Sequence, residues 1–257
     1  MTLGEVLHYA EQFRAERARA FFDLMAHVQL AEPQTIVDLG CGDGAFTASL
    51  AQRWGGAHVY GVDSSLEMLT VAGRLSSERL SFEHGDLMTW QPPCRPELVV
   101  SSAALQWVPG HARVIRTLGE VVATDGVLAF QVPQEIDAAR ALQEMLRAPL
   151  WRSSLASQPA HTGYVLKTAE YVAILSSSGF EVNAWDTTYF HVLQGEDPVL
   201  DWMRATLLRS VLPQLPSPAH ADFLSDYGRE LERLYPRRSF GTVLPIARCF
   251  VVGSKRA

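Results

Sequence analysis

Lysine is almost missing from this chain of 257 residues: of its 22 basic residues, only Lys167 and Lys255 are lysines and twenty are arginines. Positive charge is also in the minority. The 28 acidic residues leave a net charge of −6, whereas a chain that coats a phosphate backbone carries a basic surplus, so wholesale nucleic-acid binding is disfavoured. Cysteine is scarce: Cys41, Cys94 and Cys249 are odd in number and far apart, with no CxxC pair and no Cys/His cluster. That excludes a disulfide framework and offers no metal site. No apolar run approaches the roughly 20 residues that a membrane helix requires. The start, Met1-Thr-Leu-Gly-Glu-Val-Leu, lacks the basic segment and apolar core of a secretory signal. The expectation is a soluble, cytoplasmic protein with no membrane or nucleic-acid partner. Most of the arginine excess reads as compositional bias. The remainder is where guanidinium forks would meet carboxylates, a geometry that lysine matches poorly.

What is present is a core-forming chain. With 47% hydrophobic residues it can bury a sizeable core, and a single α/β domain of this length is ordinary. Apolar positions at helical spacing fill residues 8–28 and stop before Pro33. Short apolar runs at 35–39, 58–62, 80–84, 98–101 and 127–132 read as strands. Helical stretches at 45–54, from Leu66 onward and at 111–123 separate them, and Ser64 and Ser65 offer N-caps to the second. After Pro133 come helical stretches at 135–147, 167–178, 197–212 and 219–234, a polar stretch from Ser153 to Pro159, and strands at 180–192 and 243–252. Strands alternating with helices imply right-handed crossovers, hence an α/β fold with a doubly wound, mostly parallel seven-stranded sheet. The expected arrangement is one domain over 1–257. Its core is 30–133, 165–193 and 243–254, with helical lid segments at 1–29, 134–164 and 196–240.

The segment Asp38-Leu-Gly40-Cys-Gly42-Asp-Gly44 lies between a predicted strand and helix. Glycines there permit a tight turn and let a ligand approach the backbone at a helix N-terminus. Structural turns use glycine too, so the surrounding acids matter more. Asp63 ends the second strand, where a carboxylate can bond both hydroxyls of a ribose, and Asp86 follows the third. Each acid alone is most simply a cap or turn residue; three at consecutive strand ends point to one ligand at the carboxyl edge of the sheet. Asp38 would repel a pyrophosphate, which disfavours a nicotinamide dinucleotide, but suits the ammonium or sulfonium end of S-adenosylmethionine.

The spacing Asp-x-Gly-x-Gly-x-Gly, an acid 19 residues beyond Gly44 and the turn Gly85-Asp86-Leu87 resemble the class I S-adenosylmethionine-dependent methyltransferases. A narrower likeness follows. Ser102-Ala-Ala-Leu105-Gln106-Trp107-Val-Pro109-Gly-His111 resembles the segment after strand four in the trans-aconitate 2-methyltransferase family. So do Phe13-x-x-Glu16-Arg17-x-Arg19, Trp185-Asp-Thr-Thr-Tyr189-Phe-His191, Tyr235-Pro236, Leu244-Pro245 and Arg248-x-Phe250. The resemblance runs over nearly the whole chain, lid included. It implies a Rossmann-like fold in which Asp38, Gly40 and Gly42 lie against the methionine part of the cofactor. Asp63 would take the ribose with Ser64 beside it, Asp86 and Leu87 would border the adenine, and Ser102 and Ala103 would approach the amino-acid end.

The reaction that the resemblance implies is in-line attack of a substrate oxygen on the sulfonium methyl group, with S-adenosylhomocysteine leaving. A carboxylate acceptor is already ionised at neutral pH and needs no strong base, so catalysis can rest on holding the reacting atoms collinear. No catalytic residue is fixed; His111, His191 and Tyr189 are candidates by position. Trp107, Glu135, Arg140, Tyr189, His191, Arg209 and Arg248 are the expected acceptor contacts. Several positions depart from the family pattern: Leu207 and Ser210 flank Arg209 where the family has glycine and proline, Glu135 ends the segment after strand five, and Arg140 replaces a histidine. The cofactor half is intact and the acceptor half altered. The expected partner is a small carboxylic acid, and the expected assembly a monomer or weak homodimer. The alternatives are an O-, N- or C-methyltransferase of specialised metabolism on the same scaffold, or a non-methylating cyclase that binds the same cofactor.

Overall fold

The computed structural model describes residues 11, 13–92, 94–152 and 164–256. The beginning of the stretch read as helical from residue 8, and the polar stretch Ser153 to Pro159, lie outside the described residues. The chain divides into two compact units. A sheet unit comprises Arg17–Pro133, Tyr164–Thr187 and Arg248–Ala257, and a helical unit comprises Met1–Glu16, Gln134–Gly163 and Thr188–Ala247. Each is taken over its described residues.

In chain order the strands are β1 (Thr35–Leu39), β2 (His58–Asp63), β3 (Leu80–His84), β4 (Leu98–Ser102), β5 (Val127–Pro133), β6 (Phe180–Leu193) and β7 (Thr242–Lys255). They form one seven-stranded sheet in the order β3-β2-β1-β4-β5-β7-β6. The first five strands pair in parallel and β7 runs antiparallel to β5. The order reverses beside β1, which opens a crevice at the carboxyl ends of β1 and β4, where open α/β sheets take ligands. β1, β4 and β5 are buried nearly throughout, as the inner strands of a parallel sheet are.

The sheet unit carries α1 (Arg14–Ala26, which begins in the helical unit), α2 (Ala45–Arg53), α3 (Leu66–Ala72), α4 (His111–Val121) and α7 (Thr168–Ser177). Of the two serines offered as caps, Ser65 performs the task, its hydroxyl accepting from the Met68 amide at 3.3 Å, while Ser64 is exposed. α4 buries Val114, Ile115 and Leu118 at helical spacing. One of the two lysines closes this helix: Lys255 Nζ donates to the carbonyls of Gly119 (2.8 Å), Glu120 (3.3 Å) and Val122 (2.8 Å). Three donors on one nitrogen, at the negative end of a helix, suit an ammonium rather than a planar guanidinium. Arg53 serves α1 in the same manner, donating to the carbonyls of Met25 and Val28.

The helical unit carries α5 (Asp137–Arg147), α6 (Pro149–Arg152), α8 (Pro198–Ala205), α9 (Leu208–Val211) and α10 (His220–Leu234). It has its own core, in which Trp151, Trp202, Phe223 and Tyr227 are buried among leucines. Two tyrosines secure the start of α5: Tyr227 donates to the Ala138 carbonyl at 2.8 Å, and Tyr235 Oη accepts from the Ala138 amide at 3.0 Å, one of the donors that a helix start leaves open. The stretch 197–212 is not one helix. It breaks at Thr206 (φ −125°, ψ −100°), whose hydroxyl donates back to the Trp202 carbonyl at 2.9 Å and so competes with continued helical bonding.

Candidate functional site

β1 delivers its last residues into a turn in which Gly40, Gly42 and Gly44 all have positive φ, at 78°, 57° and 77°. The three are not equivalent. A methyl group on Gly40 would lie 2.1 Å from the Ala104 Cβ, and one on Gly44 would lie 2.7 Å from the Phe82 ring, so close packing requires both. Around Gly42 nothing lies within 4 Å, which leaves open ground beside bare backbone. The amides of Gly40 and Cys41 both donate to the Val62 carbonyl, at 2.7 and 3.0 Å. The Gly42 amide donates to Asp63 Oδ2 at 2.8 Å, and Asp63 Oδ1 accepts from the Ser65 amide at 2.9 Å. One carboxylate thus ties the glycine turn to the start of α3 while remaining only half-buried.

Asp38 is 3% exposed, and Oδ2 accepts from the Thr47 hydroxyl at 2.7 Å, the one side-chain hydrogen bond to this carboxylate among the described residues. Burial pushes its pKa up to about 6, with Thr47 opposing and Asp63 adding repulsion. A cation beside so weakly compensated a buried carboxylate would stabilise its ionised form. Cys41 sits beside both acids, and burial followed by their repulsion drives its thiol pKa far up, so it stays protonated and is no nucleophile.

At the end of β4, Ser102 is followed by Ala103 in the left-handed region at φ 56°, a conformation that costs an L-residue roughly 1 kcal/mol. Two bonds hold it: its amide donates to the Gln131 carbonyl at 3.0 Å, and its carbonyl accepts from Gln106 Nε2 at 2.7 Å. Gln106 is buried, and its Oε1 has no hydrogen-bond partner among the described residues. Asp86 is exposed and uses Oδ1 to accept from the Met88 amide at 2.9 Å; Leu87 beside it is half-buried.

The residues expected at the acceptor are distributed over both units. In the sheet unit, Trp107 is 39% exposed, whereas Arg248 is 4% exposed and donates from Nη1 to Gln131 Oε1 at 2.9 Å. His111 is buried there, its Nε2 hydrogen-bonded to the Tyr171 hydroxyl at 2.9 Å. Burial lowers the pKa of His111 and pushes that of Tyr171 up to about 12, so the pair is neutral at physiological pH. In the helical unit, Tyr189 and His191 are buried with parallel rings 6.1 Å apart, and His191 stacks on Trp202 at 5.2 Å. Arg209 is exposed on α9. Arg140 is exposed as well, within 3.6 Å of Glu135 and 3.2 Å of Asp137, so the two substitutions singled out in the sequence pair with each other. Among the described residues no cluster of His, Cys, Asp or Glu is placed to hold a metal ion.

Three residues that bond within this region have no role assigned from the sequence: Thr47, Gln131 and Gln106, the last named only within the segment that carries the family resemblance. Thr47 had a usable signal, a hydroxyl in the first turn of the helix nine residues after an acid that the strand pattern buries. Gln106 and Gln131 had little, because their partners are carbonyls and side chains that only the folded chain brings near.

Comparison with known proteins supplies a further observation. Residues 8–184 match the methyltransferase domain family. A trans-aconitate 2-methyltransferase of Streptomyces avermitilis is 40% identical over 250 residues, covering 94% of this chain and 93% of that protein. One from Streptomyces coelicolor is 41% identical over 93% of this chain and 82% of that protein. Among solved structures, a phosphoethanolamine N-methyltransferase 2 of Haemonchus contortus, in complex with phosphomonomethylethanolamine and S-adenosylhomocysteine, superposes with a TM-score of 0.61. It is 14% identical, and the match spans 100% of this chain and 58% of that longer one, so it speaks for the fold alone.

Proposed function

The chain belongs to the trans-aconitate 2-methyltransferase family, and from that premise we propose that it esterifies a small di- or tricarboxylic acid, trans-aconitate being the first candidate. The observation that carries this reading is the extent of the match. It covers 94% of the chain, acceptor-side segments included, and is not confined to the cofactor turn. When bound, S-adenosylmethionine supplies the electrophilic methyl group. The residues present fit that cofactor: open backbone at Gly42, a buried Asp38 in need of a cation, and Asp63 at the end of β2. Asp38 would hold the ammonium group and Asp63 the ribose, with Asp86 and Leu87 bordering the adenine and Ser102 and Ala103 the amino-acid end. Burial strengthens the Asp38 contact, because charges attract more strongly away from water.

An acceptor carboxylate arrives already ionised, so the chain has no proton to remove. Its tasks are to bring an anion into an acidic protein and to hold one oxygen in line. Arg248 would supply positive charge to an acceptor carboxylate that does not react; Arg209, Tyr189 and His191 are the candidate acceptor contacts of the helical unit. A cytoplasmic location and a monomeric or weakly dimeric state belong to the same proposal.

Incubation with methyl-labelled cofactor and a panel of di- and tricarboxylates tests the reading. The expected product carries base-labile label that becomes volatile on hydrolysis; base-stable label would mark N- or C-methylation and overturn ester formation. Arg209→Ala is expected to raise the acceptor KM by roughly tenfold, the scale of one charge-assisted contact, with cofactor affinity unchanged. Equal loss of both would remove Arg209 from the acceptor site.

A further inference from the structure

β4, β5 and β7 place three polar side chains on one face of the sheet. Asp38 is in register with Val100, so Ser102, two residues further along β4, shares the face that carries Asp38. Ser102 is in register with Gln131, and Gln131 with Phe250, so Arg248, two residues before Phe250, lies on that face too. The side chains connect in this order. Gln131 Nε2 donates to Ser102 Oγ at 2.9 Å, and Arg248 Nη1 donates to Gln131 Oε1 at 2.9 Å. Gln131 is 1% exposed and is the one polar side chain of β5, whose sequence is otherwise Val-Leu-Ala-Phe and Val-Pro.

The fold does not need this chain of contacts. Backbone pairing already joins β4 to β5 and β5 to β7 along their whole registers, and apolar side chains would pack there without the desolvation cost of a buried guanidinium and amide. We propose that Gln131 is a positioning residue for acceptor recognition. It fixes the Arg248 guanidinium for an acceptor carboxylate, and because its own oxygen is neutral it adds no negative charge that would compete with that carboxylate. This rests on the carboxylate-acceptor reading above. The residue type is the point: a glutamate in the same place would hold Arg248 more firmly and compete with the substrate for it.

Gln131→Glu separates this role from a structural one, because the two predict opposite outcomes for a nearly isosteric change. If Gln131 only ties strands together, the glutamate gives Arg248 a stronger partner, the Ser102 hydroxyl can turn to donate, and Tm and acceptor KM stay the same or improve. The proposal expects an acceptor KM at least roughly tenfold higher, with kcat within about threefold, S-adenosylhomocysteine affinity unchanged, and a matching loss of acceptor affinity by calorimetry in the presence of S-adenosylhomocysteine. Gln131→Met, which keeps the length and removes both contacts, is the second variant and is expected to raise KM in the same direction. An unchanged KM in Gln131→Glu overturns the proposal, and so does failure of both variants to fold, which would make Gln131 a residue of the fold. If the unaltered protein binds and methylates no carboxylate, the reading of the function fails first; if it does so and Gln131→Glu behaves identically, only the role of Gln131 fails.

Discussion

Asp63→Ala is expected to abolish measurable cofactor binding while leaving the protein folded. The carboxylate accepts from the Gly42 amide with one oxygen and from the Ser65 amide with the other, so its removal frees the glycine turn and the start of α3 together. It also removes the group proposed to hold the ribose. Two charge-assisted hydrogen bonds and a ligand contact at roughly 1.5–3 kcal/mol each correspond to more than a hundredfold loss of affinity. Asp63→Asn should fall between, because an amide retains one acceptor oxygen and presents a donor to the other backbone amide. Titration with S-adenosylhomocysteine, with circular dichroism as the check on folding, reads the effect. A dissociation constant within about threefold of the unaltered protein would remove Asp63 from the cofactor site.

Asp38→Asn is expected to act in opposite directions on stability and binding. In the folded cofactor-free protein the Asp38 pKa is raised to about 6 by burial. A raised pKa means that the contribution to stability is present while the group is protonated, below the ordinary carboxylate range, and is lost as pH rises from about 4 through 6. From the ordinary value of 3.8 and the folded value of about 6, the loss is on the order of 3 kcal/mol. Asparagine can still accept from Thr47 and carries no charge, so the variant should be more stable than the unaltered protein at pH 8 and similar to it below about pH 4. Cofactor affinity should collapse in the variant, since the neutral amide offers the ammonium no counter-charge. In the unaltered protein that affinity should rise as pH increases through 6. Thermal unfolding of both proteins from pH 3.5 to 8 is the measurement; parallel curves, with no gap opening between about pH 4 and 6, would show that Asp38 ionises at no cost.

The two acids also show which parts of the site were readable in advance. Asp38 and Asp63 come at the ends of short apolar, β-branched runs, and the length of those runs marks where each strand ends. The placement of these acids at the carboxyl edge follows from local sequence plus the handedness of the crossovers. The glycine turn was legible for the same reason, although the sequence could not say which glycine is required by packing and which leaves open ground. That distinction depends on Ala104 and Phe82, which come from other elements.

The arginines mark the opposite limit. Arg140, Arg209 and Arg248 each sit in a segment of similar apparent interest, and nothing local separates them. The folded chain gives them three environments: Arg140 in an exposed ion pair with Glu135 and Asp137, Arg209 exposed on a one-turn helix, and Arg248 buried against Gln131 from 117 residues away in sequence. His111 is similar, since its hydrogen bond to Tyr171 spans 60 residues. The sequence by itself determined the alternation of elements, the parallel sheet, the acids at its edge and the scarcity of lysine that threw attention onto arginine. Those properties depend on periodicity and on residues within a few positions of one another. Only the tertiary structure decided which arginine is desolvated and what orients it, because burial and side-chain partners are set by strand order and register, which join residues from distant parts of the chain.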